Sequence, residues 1–392
     1  MEDILIISGA RTPVGSFNGT LSPLKAPELG AIAIKEAVKR ANVKPESISE
    51  VIMGCVLQGG IGQAPARQAS IGAGIPESVP CMTVNKVCGS GLKSVMLGAQ
   101  SIKTGESDIV VAGGMESMTN APYFLDKARS GYRMGNGKII DGMVYDGLWD
   151  PYSNTHMGNI GEICAREKNI TREQQDEFAK GSYEKALDAI KNGHLKEQIV
   201  PVEIKDRKGN VTVIDEDEEP KKLNIEKGLK LKPAFEKDGT ITAFNASKIN
   251  DGAAAVVMAS KAKTDELGLK PMARIIEQAT HAQSPNWFTT APAYAIEKIL
   301  KKSGISKDDI DLFEVNEAFA VVSCAVNTIA GLDNSKVNVT GGAIAFGHPI
   351  GASGTRLLVS MLYNLKRLNK KYGLVTLCIG GGEATAVIIE RM

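Results

Sequence analysis

The sequence predicts an α/β fold built from two halves of common architecture, each with a mainly parallel sheet covered by helices on both faces. Short apolar runs alternate with segments whose apolar residues recur at helical spacing. Residues 31–51 and 293–313 also share one pattern at an offset of 262 residues. The offset continues into the next turn, where Asn85 faces His348 at 263 residues. A nearly constant offset through helix, strand and turn predicts an internal duplication.

The elements of the first half follow from apolar runs and from the residues that interrupt them. Proline at position 27 and Glu28 are typical of a helix start, and this helix precedes a short buried strand. A second helix follows Cys88, with apolar residues at helical spacing up to Ile102. Continuous apolar runs predict buried strands at 4–7, 51–54, 80–84 and 108–114.

The second half repeats this order. A helix that begins near residue 293 leads into a strand at 312–314, and the strand at 373–380 faces the strand at 108–114 of the first half. Between the halves, residues 119–247 are rich in Met, Tyr, Asn and Gly and then strongly charged, with a helix predicted at 172–192. This segment is an inserted excursion and not a third copy.

A run of lysines ends the excursion. Two interpretations of the run stay open, because charge runs are usually solvated faces but also bind phosphorylated ligands. The run comprises Lys221, Lys222, Lys227, Lys230 and Lys232.

Composition excludes several classes of partner. The 392 residues include 46 basic and 45 acidic side chains, so the net charge of +1 gives no global field for nucleic acid or an anionic membrane. The six cysteines have no close paired spacing and the histidines do not cluster, so we expect a reduced, cytoplasmic protein without a metal. No apolar stretch reaches the length of about 18 residues that a membrane span needs.

Cys88 is the candidate nucleophile. It lies on a glycine-flanked turn between a predicted strand and a predicted helix. Gly89 and Gly91 are expected to allow the tight turn, and the positive end of the helix dipole is expected to favour the thiolate. The free amides of the first helical turn are suited to stabilise an oxyanion. The alternative is a buried core thiol, which is the usual place of a free cysteine.

Three further residues are candidates for the same site. His348 lies among glycines in the equivalent turn of the second half, where it would serve as the base for Cys88. Asn316 follows a predicted strand at the ligand edge of the sheet, and Cys378 ends the last long strand beside three glycines. Structural roles are the alternatives for His348 and Cys378. We expect the remaining cysteines to be core thiols, namely Cys55, Cys81, Cys164 and Cys324.

Four motifs in order resemble the thiolase family over nearly the whole chain. They read NKVCGSG at 85–91, NEAFA at 316–320, GHPIGASG at 347–354 and CIGGG at 378–382. The resemblance implies a five-layer αβαβα arrangement of duplicated α/β halves with an inserted loop domain. It assigns residues 1–118 and 248–271 to the first half, 119–247 to the loop domain and 272–392 to the second half.

The resemblance also implies a two-step acyl transfer that condenses two acetyl-CoA molecules to acetoacetyl-CoA and CoA, with thiolysis as its reverse. Cys88, activated by His348, would form the acyl-enzyme, and Cys378 would remove a proton from C2 of the second acetyl-CoA. His348 and a water held by Asn316 would stabilise the enolate, while the amides of Cys88 and Gly380 would hold the tetrahedral oxyanion. No metal or redox cofactor is implied, because CoA is substrate and product.

By the same resemblance, the loop domain binds CoA and residues 124–145 join dimers into a homotetramer. Two departures from the family pattern concern substrate: Pro220 replaces an arginine that some members carry for the nucleotide, and residues 287–292 read WFTTAP. Because relatives with phenylalanine there accept branched substrates, a broader-range 3-ketoacyl-CoA thiolase stays open as the alternative activity. The implied substrate and CoA contacts are Leu148, His156, Met157, Ser247, Ala318, Phe319 and Phe288.

Other classes fit the residues less well. A β-ketoacyl synthase normally brings two histidines and lacks the second catalytic cysteine, so Cys378 and Asn316 argue against it. A papain-like hydrolase does not suit the duplication. A noncatalytic acyl-CoA binding protein is the remaining rival, and replacement of Cys88 would leave its behaviour unchanged.

Overall fold

The computed structural model describes residues 3–222 and 224–392. Its strands are β1 (Ile4–Arg11), β2 (Gly15–Ser16), β3 (Glu50–Gly54), β4 (Cys81–Val84), β5 (Ile109–Ser117), β6 (Tyr123–Phe124), β7 (Ile140–Asp141), β8 (Trp149–Asp150), β9 (Thr155–His156), β10 (Val202–Lys205), β11 (Val211–Ile214), β12 (Asn250–Ser260), β13 (Ala273–Ala282), β14 (Leu312–Val315), β15 (Tyr372–Ile379) and β16 (Glu383–Arg391).

Its α-helices cover both halves and the excursion between them. They are α1 (Ala26–Ala41), α2 (Pro65–Gly72), α3 (Ser90–Lys103), α4 (Gly142–Gly147), α5 (Met157–Glu167), α6 (Arg172–Lys191), α7 (Ile225–Gly228), α8 (Lys261–Leu267), α9 (Ala291–Ser303), α10 (Ala320–Ala330), α11 (Ala343–Phe346) and α12 (Ser353–Arg367). None of these helices, within the described ranges, is long and apolar enough to cross a membrane.

The predicted α/β fold is confirmed, but the prediction of mainly parallel sheets is wrong. The strands run in the order β14-β15-β16-β13-β1-β12-β5-β3-β4, with β2 beside β12. Among the strands of the described ranges, only β3 with β4, β3 with β5 and β14 with β15 pair in parallel. The other pairs are antiparallel because β15 and β16 form a hairpin, while β12 returns along β5 after the long excursion.

The two halves of the sheet meet at β1 and β13. Their register runs from Ile4 opposite Ile275 to Ile6 opposite Ala273. Along β1 the side chains alternate between two cores, since Ile4 and Ile6 face the central helices while Leu5 faces α1. Both faces of the sheet are therefore buried.

Five layers result from this alternation. Helices α3 and α12 pack together in the middle and contact strands of both halves. Helices α1 and α2 cover the outer face of the first half, and α9 and α10 cover that of the second. A side chain at Gly354 of α12 would overlap the backbone of Leu92 in α3, so glycine permits the close approach of the two central helices.

Residues 119–247 form small two-stranded sheets and helices α4 to α7 outside the five layers. Arg11 of β1 binds Asp217 through a buried ion pair of 2.6 Å, and its backbone amide donates to the carbonyl of Gln198 at 2.9 Å. Helix α6 packs against α10 and α11 of the second half. The excursion is thus held against both halves, beside the turns that carry Cys88 and His348.

Candidate active site

The turn that carries Cys88 is held in shape by its own side chains. Asn85 Oδ1 accepts from the amide of Val87 at 3.0 Å, and Ser90 Oγ accepts from the amide of Lys86 at 2.8 Å. The same hydroxyl donates to the carbonyl of Val87 at 2.6 Å. Val87 has φ of +45°, a left-handed conformation that is costly for a β-branched residue. The strain lies one residue before the candidate nucleophile.

The expected role of the flanking glycines is wrong. Gly89 has φ of −78°, in the right-handed region, so the left-handed residue of the turn is Val87 and not a glycine. A Cβ at Gly89 would overlap Ile379 Cδ1, and one at Gly91 would lie 2.8 Å from the carbonyl oxygen of Gly351. The two glycines therefore serve the close contact between the two halves.

Burial outweighs the helix dipole at Cys88. Burial raises the pKa of the thiol to about 11, against backbone hydrogen bonds from Gly380 and Cys88 itself that lower it, and the nearby Glu116 raises it further. The expectation that the helix dipole favours the thiolate is therefore wrong, because burial has the larger effect. At neutral pH the thiol is protonated, and attack on a thioester needs a base to remove this proton.

His348 is oriented by a hydroxyl group. Nδ1 lies 2.6 Å from Ser353 Oγ, and this hydroxyl donates to the carbonyl of Pro349 at 2.9 Å. Because Ser353 has one hydroxyl proton, Nδ1 must be the donor in the first contact. Nε2 is left without a proton and, in the described part of the chain, without a partner. The free lone pair of Nε2 is what a general base requires.

The backbone of His348 is held by a neighbouring strand. The backbone amide of His348 donates to Asn250 Oδ1 at 3.0 Å. The preceding Gly347 has φ of +106°, and a Cβ there would overlap the side-chain amide of Asn250. Burial lowers the pKa of His348 to about 3, and the charge of Arg356 adds to the effect. The imidazole is therefore neutral over the whole physiological range of pH.

Cys378 and Gly380 lie at the end of β15, where the chain turns into β16. Gly381 and Gly382 make this turn with φ of +91° and +88°. Cys378 is 1% exposed, and burial together with the neighbouring Cys88 thiol raises its pKa well above the ordinary value. Gly380 hydrogen-bonds Cys88 through its backbone. The structure thus brings Cys88, Cys378 and Gly380 together from opposite halves.

Asn316 directly follows β14 and is fully buried. The backbone amide of Asn316 donates to the carbonyl of Thr376. Neither polar atom of its side-chain amide has a hydrogen-bond partner among the described residues. The next residue, Glu317, is held by Ser182 Oγ at 2.6 Å and Asn338 Nδ2 at 2.8 Å. The contacts of Glu317 fix the conformation of the loop after β14, while the unpartnered side-chain amide of Asn316 is available to a ligand or water.

A cavity of about 550 Å³ leads to His348. Four residues predicted to contact substrate line it, namely Leu148, His156, Ser247 and Phe319. Its wall includes Phe235, whose ring stacks on His156 at 4.7 Å between centroids.

The other three predicted contacts do not line this cavity. Met157 begins α5, and its amide donates to the carbonyl of Leu148 at 2.9 Å. Ala318 accepts from the amide of Ser247 at 3.0 Å. Phe288 is 2% exposed and packs edge-on against Phe319, with centroids 6.5 Å apart.

Sequence reasoning missed the role of Glu116. This buried carboxylate accepts from the amides of Val56 and Leu57 at 3.1 and 3.0 Å and, across the molecule, from Gly351 at 2.8 Å. Burial raises its pKa to about 7, although these backbone hydrogen bonds lower it. Glu116 joins the first half to the loop of His348. A glutamate in an otherwise apolar strand was the available signal.

The described ranges contain no group of three metal-ligating side chains. The arrangement of Cys88, Cys378 and His348 is instead that of an acyl-transfer site. The two thiols are neighbours between the halves, and the turn of Cys88 packs against the turn of His348, where a Cβ at Gly91 would lie 2.8 Å from the Gly351 carbonyl oxygen. Residues 4–262 match the family described as thiolase, N-terminal domain, and residues 269–391 match thiolase, C-terminal domain. The chain belongs to the thiolase family.

Individual members of the family are similar to this chain over nearly their full length. The chain is 53% identical over 392 residues to the acetyl-CoA acetyltransferase of Cupriavidus necator, with all of both chains covered. It is 51% identical to a probable acetyl-CoA acetyltransferase of Dictyostelium discoideum, covering 100% of this chain and 95% of that protein. The crystal structure of the Bacillus anthracis acetyl-CoA acetyltransferase superposes with a TM-score of 0.97 at 41% identity, covering 100% and 99% of the two chains.

Proposed function

We propose that the protein is an acetyl-CoA acetyltransferase that condenses two acetyl-CoA molecules to acetoacetyl-CoA and CoA. The observation that carries this proposal is the meeting of Cys88 and Cys378, one from each half, beside a cavity that ends at His348. One thiol carries the acyl group while the other moves a proton, and two such thiols are what a condensation of thioesters needs. The names of the full-length relatives support the same activity.

In the first step, Cys88 Sγ attacks the thioester carbonyl of acetyl-CoA, and the bond between this carbon and the CoA sulfur breaks. CoA leaves with the proton of the neighbouring Cys378 thiol. The pKa of Cys88 is about 11, so its proton must move as the carbon–sulfur bond forms. We assign this proton to Nε2 of His348, whose lone pair is free. The amides of Cys88 and Gly380 are placed to hold the oxyanion.

In the second step, the Cys378 thiolate left by the first step removes a proton from C2 of another acetyl-CoA. The carbanion attacks the acetyl group on Cys88, the bond between this acetyl carbon and Cys88 Sγ breaks, and the sulfur takes back its proton from His348 Nε2. Enolate stabilisation is assigned to His348 and to a water on Asn316, whose buried side chain has unpartnered polar atoms. We propose that Leu148, His156, Met157, Ser247, Ala318 and Phe319 hold the pantetheine arm, with Phe288 behind them. CoA is substrate and product, and no other cofactor is proposed.

Short acyl chains are favoured by the aromatic wall. Phe288 is buried and its ring abuts Phe319, so the space on this side is filled. A broader-range 3-ketoacyl-CoA thiolase would need room for a longer chain there. We therefore propose acetoacetyl-CoA, and not a longer 3-ketoacyl-CoA, as the preferred substrate of thiolysis.

The test is CoA-dependent thiolysis, followed as loss of the absorbance of the Mg-enolate of acetoacetyl-CoA. Parallel assays use 2-methylacetoacetyl-CoA and 3-ketohexadecanoyl-CoA, with Cys88→Ala as the control. Turnover of acetoacetyl-CoA alone supports the proposal, and turnover of the longer or branched substrate redefines the enzyme as a broader thiolase. Turnover that persists in Cys88→Ala would sink the acyl-Cys88 mechanism.

We further propose a homotetramer in the cytoplasm with a role in fatty acid metabolism. Large apolar side chains are exposed along the predicted tetramer segment and its surroundings, including Tyr123 at 66%, Met134 at 98% and Ile139 at 70%. All six cysteines are free, which suits a reducing compartment. Light scattering after size-exclusion chromatography tests the oligomer, and a dimeric mass at high protein concentration would argue against it.

A further inference from the structure

A second chamber adjoins the main cavity. It measures about 290 Å³ and shares Glu219, Lys222, Ala243 and Lys248 with the cavity that ends at His348. We call it the lysine chamber, after Lys222, Lys227 and Lys248 in its wall. CoA carries its thiol at one end and its phosphates at the other. A CoA molecule with its thiol near His348 would extend its phosphorylated end away from it, toward such a chamber.

The charges around the lysine chamber differ in how far they are already paired. Lys222 Nζ lies 2.7 Å from Glu218 Oε1 and 2.8 Å from Ser16 Oγ. Lys221, outside the chamber, pairs with Glu216. Part of the lysine run therefore neutralises nearby carboxylates and gives little attraction for a ligand.

Lys248 lies outside that run and, unlike Lys222, forms no ion pair with a carboxylate of the described residues. Its Nζ donates to the carbonyl of Ala246 at 2.8 Å and lies 3.5 Å from that of Ile344. The aromatic ring of Tyr183 lies 5.5 Å from the ammonium. In the described part of the chain no carboxylate forms an ion pair with it, although Glu219 faces the same chamber.

The Lys248 ammonium has two carbonyl oxygens and an aromatic ring as partners but no ion-paired carboxylate, so its charge is not neutralised at short range. Burial lowers the pKa of Lys248 to about 8, while Glu219 opposes this shift. A phosphate oxygen would provide the missing negative charge and a charge-assisted hydrogen bond. The pantetheine arm of CoA carries no charge, so it cannot supply this negative charge.

We propose that the Lys248 ammonium binds a phosphate group of the CoA nucleotide in the lysine chamber. The proposal rests on the proposed function for its ligand, and it makes Lys248 a determinant of affinity for the nucleotide part of CoA. Because the charge at Lys248 does not touch the reacting atoms, the residue affects binding and not the chemical step.

Isothermal titration calorimetry on the full chain tests this independently of turnover. Wild type and Lys248→Met are titrated with CoA and with pantetheine, which has the same thiol arm but no phosphate. We expect Lys248→Met to weaken CoA binding about tenfold, because a buried charge-assisted contact is lost, and to leave pantetheine binding unchanged. Lys230→Met, on an exposed lysine outside both cavities, is the matched control and should bind CoA as wild type does.

Equal weakening for both ligands would overturn the proposal, since it would show that Lys248 acts by bridging the loops of Ala246 and Ile344. Unchanged CoA binding would overturn it as well. Failure of the proposed function has a different signature: the wild type would bind CoA with the expected ligand dependence but show no Cys88-dependent thiolysis.

Discussion

The turn before α3 and the turn before α12 occupy equivalent places in the two halves, but they hold their reactive side chains by different means. The short side chain of Cys88 is aimed by the backbone, through the left-handed Val87. The long ring of His348 is aimed by a side-chain contact, through Ser353 Oγ. Duplication thus supplies two matching turns, and the reach of each side chain decides whether strain or a hydrogen bond positions it.

Removal of either thiol should have the largest effect on turnover, and the two variants should differ in whether an acyl-enzyme forms. Cys88→Ala should lower kcat for thiolysis by about 10⁴-fold, because no acyl-enzyme forms. Cys378→Ala should lower turnover by a similar factor of about 10³ or more and still accept an acetyl group, because only proton transfer is lost. Intact-protein mass spectrometry after incubation with acetyl-CoA measures the difference. Acetylation of Cys88→Ala on Cys378 would contradict the assignment.

Glu116 connects the two turns, and its titration should appear in stability. Its pKa is raised from 4.5 to about 7, mainly by burial, so the folded state binds more protons than the unfolded state between these values. Wild-type stability should therefore fall as pH rises through this window, whereas Glu116→Gln does not titrate. The unfolding free energy of Glu116→Gln relative to wild type should rise by about 3 kcal/mol from pH 4.5 to pH 8 in urea titrations.

Glu218→Gln is the control for this pH series. Although burial opposes the shift, hydrogen bonds from Lys222, Ser16 and Thr20 lower the pKa of Glu218 to about 2. The stability that Glu218 contributes is present above its unfolded value of 4.5 and is lost only as pH falls toward 2. The difference between Glu218→Gln and wild type should therefore stay constant from pH 5.5 to pH 8. An equally flat series for Glu116→Gln would refute the raised pKa.

Removal of the Ser353 hydroxyl tests whether a side-chain hydrogen bond orients His348, in contrast to the backbone strain beside Cys88. Ser353→Ala should lower kcat by about 30-fold, roughly 2 kcal/mol, because the free imidazole is no longer restricted to one tautomer and orientation. KM for CoA should change little, since Ser353 does not line the cavity. Ser353→Thr, which keeps the hydroxyl, should recover part of the loss in steady-state assays. A purely structural role would instead change the unfolding temperature with kcat unaffected.

The smallest effect concerns the contact between the halves. Gly91→Ala should cost about 1–2 kcal/mol of stability, because its Cβ would lie 2.8 Å from the Gly351 carbonyl oxygen and 2.8 Å from Thr355 Oγ1. Gly380→Ala is the matched comparison, since its Cβ would meet no atom closer than 3.7 Å. Urea unfolding of both variants measures the difference. Equal stabilities would show that the interface between the halves adapts freely.

Local pattern made much of the fold predictable. The constant offset between residues 31–51 and 293–313 indicated two halves, and α1 and α9 begin within two residues of the predicted starts. Strand direction was not predictable in the same way. Parallel and antiparallel strands that are buried on both faces share the same continuous apolar pattern. In addition, β12 and β16, which supply antiparallel pairs, were not among the predicted strands.

The sequence by itself determined the duplication, the turns and the candidates for the reactive residues, because glycine, proline and apolar spacing act within a few residues along the chain. Only the tertiary structure decided their chemical states. The thiol of Cys88 is protonated because burial outweighs a helix dipole, and His348 is neutral because it is enclosed near Arg356. Desolvation depends on every neighbour in space, and the loop of Gly351 meets Glu116 only after the two halves have packed.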